Sequence, residues 1–355
     1  MNKDMVRIGV IGTGFGVRVQ IPVWSQTPGA RVAAVCSSDM SRAEKVAERF
    51  GITHAVTSPM ALASLSDVDL VSVATPPYLH REGVMAAIEA GKDVLCEKPF
   101  ALNAGEGLEM LERARRRGVI HFLNYEFRTI PSRIEMRRRI RQGDIGTLMH
   151  VHVVAFGDSA RATEGRLSPW WYDAASGGGR LGAAGSHTID ALRFIFGEIA
   201  GVSAQLETYL KEVRVLGGET IRPDADDTFM MLFRFAEGAM GAYLSGAAIA
   251  AGGPGGMRIE AYGTQGTLAL EGDRLFAAHK GERVLQPVQT EILELPPGMH
   301  DPHYAAFAEW ARQIVAAVRE RRLIEPNFVD GWRSQQIIDA ARLSQAQGRW
   351  VEIPA

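Results

Sequence analysis

The stretch Val6-Arg7-Ile8-Gly9-Val10-Ile11-Gly12-Thr13-Gly14-Phe15-Gly16-Val17 decides the fold. Val6 to Ile11 reads as a buried strand, and the glycines after it supply a tight turn into a helix. A turn of this kind brings backbone amides and a helix N-terminus up to a pyrophosphate, and glycine permits the approach because it has no Cβ. Gly12 and Gly14 occupy the first two glycine positions of the dinucleotide fingerprint. Val17 stands at the third, with Gly16 one residue early. A strand–helix turn without a ligand is the plain alternative.

Outward from this turn, strand and helix patterns alternate. Arg31 to Cys36 is a second strand, and Ser41 with Glu44 reads as a capping box for the helix whose face is Ala43, Val46, Ala47 and Phe50. Gly51 ends that helix. Val68 to Ala74 is a third strand, and a helix from about Arg81 runs to Gly91. Val94 to Cys96 is a fourth strand, Asn103 opens a helix that stops before Gly118, and Val119 to Asn124 is a further strand. This alternation implies βαβ units and a parallel sheet covered on both faces.

After Asn124 the pattern changes. Pro131 to Arg141 is helical and Leu148 to Phe156 alternates as a half-exposed strand. Thr228 to Phe235, Ala239 to Ser245, Met257 to Tyr262 and Thr267 to Glu271 follow as strands joined by short turns, which means a mostly antiparallel sheet. Phe307, Trp310, Ala311, Ile314, Val315 and Val318 mark a helix, and Ile337, Ile338 and Ala341 a weaker one. The expected fold class is α/β: a Rossmann domain over residues 1–124 and an α+β domain with a large, mostly antiparallel sheet over 125–355.

The chain's 355 residues are 46% hydrophobic and 23% charged, with a net charge of −2. That composition excludes disordered and fibrous classes, and the charge argues against general nucleic-acid or anionic-membrane binding. Arg115-Arg116-Arg117 and Arg137-Arg138-Arg139 read as solvated helix faces. Two cysteines, Cys36 and Cys96, make neither a disulfide scaffold nor a zinc module. The uncharged stretch Gly238 to Met257 is too rich in glycine and alanine to be a membrane span. With no apolar leader from Met1 to Val10, a cytoplasmic protein is expected.

Chemistry gathers at strand ends, where open α/β sheets keep their sites. The second strand runs into Cys36-Ser37-Ser38-Asp39 without a carboxylate at its tip, and Ser37, Ser38 and Arg42 suit a 2′-phosphate; the cofactor expectation therefore leans from NAD to NADP. Ala74-Thr75-Pro76-Pro77-Tyr78-Leu79-His80 ends the third strand and Cys96-Glu97-Lys98-Pro99 the fourth. Later come Gly177-Gly178-Gly179, Gly185-Ser186-His187-Thr188-Ile189-Asp190, Asp226-Asp227-Thr228 and Tyr262-Gly263-Thr264-Gln265-Gly266-Thr267. In this order the pieces resemble the Gfo/Idh/MocA family of glucose–fructose oxidoreductase, inositol dehydrogenase and relatives, over nearly the whole chain.

The resemblance implies an NAD(P)-dependent dehydrogenase acting on the CH–OH of a sugar, inositol or similar ring. Its cofactor set is Gly12, Gly14, Phe15, Gly16, Val17, Ser37, Ser38, Arg42, Ala74, Thr75, Pro76, His80, Glu97 and Lys98. Lys98 matches the family lysine beside the nicotinamide and substrate hydroxyl, where a lowered pKa lets it exchange a proton. His187 matches the family histidine, but the aspartate four residues before it is replaced by Ala183. Asp190 or Asp173 could orient the imidazole instead, or His187 could be structural. Tyr125, Arg128, Trp171, Arg180, Asp190 and Tyr304 are substrate-pocket candidates. The family also implies a homodimer or homotetramer through the C-terminal sheet. No metal is expected: His150 and His152 share a strand face, and His300 and His303 flank Asp301-Pro302, without a compact ligand set. Oxidation of a cyclic dihydrodiol, a redox cycle without net turnover and a non-catalytic NAD(P) sensor remain open alternatives.

Overall fold

The computed structural model describes residues 5–157, 165–248, 256–295 and 303–354. The chain divides into two compact units: Met1–Thr129 with Glu294–Gln335, and Ile130–Leu293 with Gln336–Ala355. The sequence puts the division near Asn124; the first unit runs five residues further and takes back a distant segment.

In the first unit, β1 (Val6–Ile11), β2 (Ala30–Cys36), β3 (His54–Val56), β4 (Leu70–Val73), β5 (Asp93–Cys96) and β6 (His121–Leu123) form one sheet in the order β3-β2-β1-β4-β5-β6. Every pairing is parallel. The order steps outward from β1 in both directions, which is the doubly wound topology, and the site edge lies at the strands' C-terminal ends beside β1 and β4. Helix boundaries follow local chemistry. Asn103 accepts the Glu106 N–H to start Ala104–Arg117, and Gly118, in the left-handed region, ends it. The helix Met40–Phe50 is capped by Asp39, whose carboxylate accepts the Arg42 N–H at 3.3 Å, so the box expected from Ser41 and Glu44 does not form. The buried aromatics Trp24, Phe122, Phe307 and Trp310 fill the core on one side of the sheet.

In the second unit, β7 (Leu148–Phe156), β8 (Ile199–Glu207), β11 (Thr228–Phe235), β12 (Met240–Gly246), β13 (Arg258–Gly263), β14 (Gly266–Glu271), β15 (Arg274–His279), β16 (Gln286–Val288) and β17 (Val351–Glu352) make a nine-stranded sheet, ordered β16-β15-β14-β13-β7-β12-β11-β8-β17. The short strands β9 (Val213–Arg214) and β10 (Thr220–Ile221) pair apart from it. Only β7 and β12 run parallel within the large sheet; its other pairings are antiparallel. Helices Pro131–Arg141 and Ser186–Phe196 and the end of Phe328–Gln347 pack Met136, Ile189, Leu192, Ile337 and Ile338 against one face. The opposite face carries His150, His152, Val154, Met230, Leu232 and Met240, all exposed. His300, Asp301, Pro302 and most of the glycine-rich stretch before Met257 lie outside the described residues.

Candidate active site

The glycine turn is built for close approach. Gly12 has φ +109°, and a Cβ there would stand 2.6 Å from the Ala74 carbonyl oxygen. Its N–H donates to Cys36 O at 3.0 Å, while Ala74 N–H donates to Ile11 O at 2.7 Å, so the tips of β1, β2 and β4 are tied together. Gly14 is the opposite case: no heavy atom lies within 4 Å of its missing Cβ, leaving the backbone open. Gly16 fills the role of the fingerprint's third glycine one residue early, since a Cβ there would come within 3.1 Å of Val10. The wide turn Gly16–Gln20 accommodates the shift, and Val17 joins Phe15 at the margin of the core. Beside the turn, the Thr75 hydroxyl oxygen is buried with no hydrogen-bond partner among the described residues. An open amide-rich turn, a helix start and an orphaned hydroxyl fit a dinucleotide laid across this edge.

At the β2 tip, Ser37 is buried, with its hydroxyl accepting from Asp39 N–H at 3.4 Å, whereas Ser38 and Arg42 are exposed. Pro76 is half-buried next to Thr75. His80 is buried at the start of the helix His80–Glu89. Its buried ring bridges Thr75 O at 2.8 Å and Phe100 O at 3.3 Å, and burial pushes its pKa down to about 4. The ring thus stands between the loop after β4 and the loop after β5, and as a neutral imidazole it donates to one of these two carbonyls.

That second loop holds Glu97 and Lys98. The buried Glu97 carboxylate accepts from Gln20 Nε2 and Asn124 Nδ2, each at 2.7 Å, and from Lys98 N–H at 3.3 Å. Ser72 in turn fixes Gln20 by donating to its Oε1 at 2.8 Å. Burial first, and the charge of Glu126 second, push Glu97 up to about 7. Burial pulls the half-buried Lys98 ammonium below the ordinary lysine range, against the attraction of Glu97 and Glu126. A lysine disposed in this way gives up its proton more readily than a solvated one.

Tyr125 is buried in the core of this unit. Arg128 donates to Asp330 at 2.7 Å, with Glu325 at 3.7 Å, so its guanidinium braces the fold. Tyr304 donates its hydroxyl to the Arg18 carbonyl, which ties the helix His303–Arg319 to the glycine turn. Sequence reading missed Glu126 and the part of His303: the imidazole Nδ1 meets Glu126 Oε1 at 2.6 Å. The two lie 177 residues apart, so no local signal announces them.

In the second unit, glycines again permit close packing. A Cβ on Gly179, at φ +99°, would lie 2.3 Å from Asp226 Oδ1. Asp226 holds the segment before His187 by accepting from Leu181 N–H at 2.8 Å, and burial raises its pKa to about 6. Arg180 donates to Ser245 Oγ at 2.9 Å and Ala155 O at 3.2 Å. His187 and Asp190 are buried on the helix Ser186–Phe196, and Ala183 is buried just before it. Asp173 is occupied with its own turn, accepting from Ala175 N–H at 3.1 Å. Trp171 is half-buried against Trp170, ring centres 4.6 Å apart.

A doubly wound sheet with this glycine turn after β1 and a tuned lysine just after β5, two strands away, defines an oxidoreductase of the nicotinamide-dinucleotide class. Residues 6–125 match the oxidoreductase family with an NAD-binding Rossmann fold, and residues 134–269 match the GFO/IDH/MocA C-terminal domain. An uncharacterized oxidoreductase of Synechocystis sp. is 30% identical, with 98% of this chain and 96% of the relative covered. Levoglucosan dehydrogenase of Pseudarthrobacter phenanthrenivorans is 27% identical over 98% of both chains. Trans-1,2-dihydrobenzene-1,2-diol dehydrogenase of Mus musculus is 32% identical over 67% of each. The solved structure of levoglucosan dehydrogenase with NADH and levoglucosan superposes with TM-score 0.87 at 26% identity, covering 99% of this chain and 100% of that one. The chain belongs to the Gfo/Idh/MocA oxidoreductase family. No helix among the described residues is long and apolar enough to cross a membrane.

Proposed function

We propose that the protein oxidises a secondary alcohol on a sugar or polyol ring, reversibly, with NAD(P) as hydride acceptor. One observation carries the reading: half-buried Lys98 follows β5 in the loop whose Glu97 is held at 2.7 Å by Gln20, the last residue of the turn that the glycines open. When bound, the nicotinamide takes the hydride. Lys98 Nζ takes the hydroxyl proton, the Glu97 clamp fixes the loop that carries it, and His187 is the second proton-transfer candidate. Gly12 to Val17, Thr75 and Pro76 cradle the dinucleotide, and Trp171, Arg180 and Asp190 stand as substrate contacts. Nucleotide contacts then fall before Asn124 and most substrate contacts after it.

NADP is the preferred form in this reading, because no carboxylate sits at the β2 tip, Asp39 three residues on is used as a helix cap, and Arg42 stays exposed. Arg42→Ala should lower the NADP/NAD affinity ratio about tenfold or more; an unchanged ratio removes the preference. A second copy of the chain covers the outer face of the large sheet, where Leu232, Met240 and Met230 are each more than half exposed. Leu232→Glu should shift the light-scattering mass toward the monomer. Two buried free thiols, Cys36 and Cys96, suit the reducing cytoplasm.

The test is NADH or NADPH formation from levoglucosan, myo-inositol, D-apiose and trans-1,2-dihydrobenzene-1,2-diol. Turnover of a sugar or polyol is expected. Turnover of the dihydrodiol alone would replace this reading with the second one, which the mouse relative favours. Dinucleotide binding without turnover of any of the four would favour the sensor.

A further inference from the structure

Glu126 lies in the loop directly after β6, and that loop is fastened to the loop that carries Lys98. Asn124 N–H donates to Cys96 O at 2.8 Å, and the Asn124 side chain donates to Glu97 Oε1 at 2.7 Å. The Glu126 side chain is only 1% exposed. One carboxylate oxygen meets His303 Nδ1 at 2.6 Å; the other is buried with no hydrogen-bond partner among the described residues. His303 is held from two sides, by Phe127 stacked at 5.0 Å and by the edge of Phe15 at 5.5 Å, and it is 24% exposed. The pair therefore runs from a buried carboxylate to an imidazole that reaches solvent. A buried carboxylate with a vacant lone pair is costly where it serves packing alone, since an uncompensated buried charge destabilises the fold.

We propose that Glu126 and His303 form a proton-relay pair that returns Lys98 to its reactive state; this rests on the proposed role of Lys98 in alcohol oxidation. The Lys98 amine takes the hydroxyl proton as the carbinol is oxidised and becomes an ammonium. It regains the amine by giving one N–H proton to the Glu126 carboxylate. The free Glu126 oxygen takes that proton, the proton shared between Oε1 and His303 Nδ1 settles on Nδ1, and His303 Nε2 releases one to water. Only N–H and O–H bonds change, and no further oxidant or reductant is needed. Electrostatics agree with the placement: Glu126 acts on both Glu97 and Lys98, while Arg18 acts on Lys98 with the opposite sign. Glu126 and His303 are positioning residues in this scheme, since they reach the substrate through Lys98.

The experiment compares Glu126→Gln, Glu126→Asp and His303→Gln with wild type and Lys98→Met, using levoglucosan, myo-inositol, D-apiose and the dihydrodiol as probes. In Glu126→Gln, kcat should fall about 10²-fold, at the lower end of what a proton-transfer group contributes. NADH affinity and KM should stay within threefold, and the solvent deuterium isotope effect on kcat should rise. Glu126→Asp should recover part of the rate, and His303→Gln should raise the same isotope effect with a smaller loss. In the cofactor-free protein, the His303 ring-nitrogen NMR shift should move in Glu126→Gln. Wild-type kcat and isotope effect in Glu126→Gln, while Lys98→Met is impaired, overturns the relay and leaves the dehydrogenase reading intact. Turnover of no probe by wild type overturns the dehydrogenase reading, and the relay falls with it. If Glu126→Gln fails to fold, an unchanged isotope effect in His303→Gln is the overturning result.

Discussion

Gly12 and Gly14 stand two residues apart in one turn, yet the structure separates what they do. Gly12→Ala forces a positive φ of +109° on a residue with a Cβ and drives that Cβ to 2.6 Å from the Ala74 carbonyl. Backbone strain of this kind costs about 1–3 kcal/mol before the contact is relieved. In a unit of this size that lowers Tm by about 2–12 °C. Gly14→Ala meets nothing within 4 Å and needs no unusual φ, so its stability should stay within about 0.5 kcal/mol of wild type. Its methyl group instead occupies the open space through which a pyrophosphate reaches the turn. NADH binding should weaken about tenfold or more, equivalent to at least about 1.4 kcal/mol. Circular-dichroism melts and NADH titration calorimetry on both variants separate the two effects. Gly14→Ala with wild-type NADH affinity would refute the cradle, and Gly12→Ala with wild-type Tm would refute the close-approach geometry.

Three other outcomes follow from buried charge. Arg128→Met leaves Asp330 buried without its guanidinium and should cost about 3–5 kcal/mol, with Asp330→Asn restoring part of the loss in the double variant; additive melts would refute the pairing. Burial holds both His80 and His121 down at about 4, so each resists protonation in the fold but not in the unfolded chain. That stability is present above the ordinary histidine value and is lost as pH falls toward 4, by up to about 3 kcal/mol per residue. A Tm that is flat from pH 7 to pH 4.5, or as steep in His121→Asn as in wild type, would contradict this. Asp226→Ala removes the acceptor of the Leu181 N–H and should cost about 1–2 kcal/mol of stability in the second unit, read from its melt.

What sequence reading reached and what it missed divide along physical lines. The strand before Gly12, the Asn103 cap and the Gly118 stop are local devices, and they fold as read. β8 escaped because Ile199–Glu207 mixes glycine, serine and glutamine into a weak alternation, and its place comes from pairing with β11. The helix Phe328–Gln347 shows little periodicity because it is buried on several sides, with Ser334 and Gln335 inside as well as Ile337 and Ile338. Asp39 outcompeted Ser41 as a cap by one turn geometry that the two-letter pattern does not resolve. Lys98 was legible through its neighbours Glu97 and Pro99, while the clamp from Gln20 and Asn124 and the Glu126–His303 pair exist only once distant segments meet. Arg128 pairs with Asp330 and Tyr125 is buried in the core, contacts that likewise depend on distant segments.

The measurement that tests the central claim most directly is steady-state turnover by Lys98→Met with the best sugar or polyol, alongside its NADH affinity. Lys98 as the proton acceptor predicts a kcat lowered about 10²–10⁴-fold with NADH affinity within threefold of wild type. A Lys98→Met enzyme that turns over at the wild-type rate would contradict it.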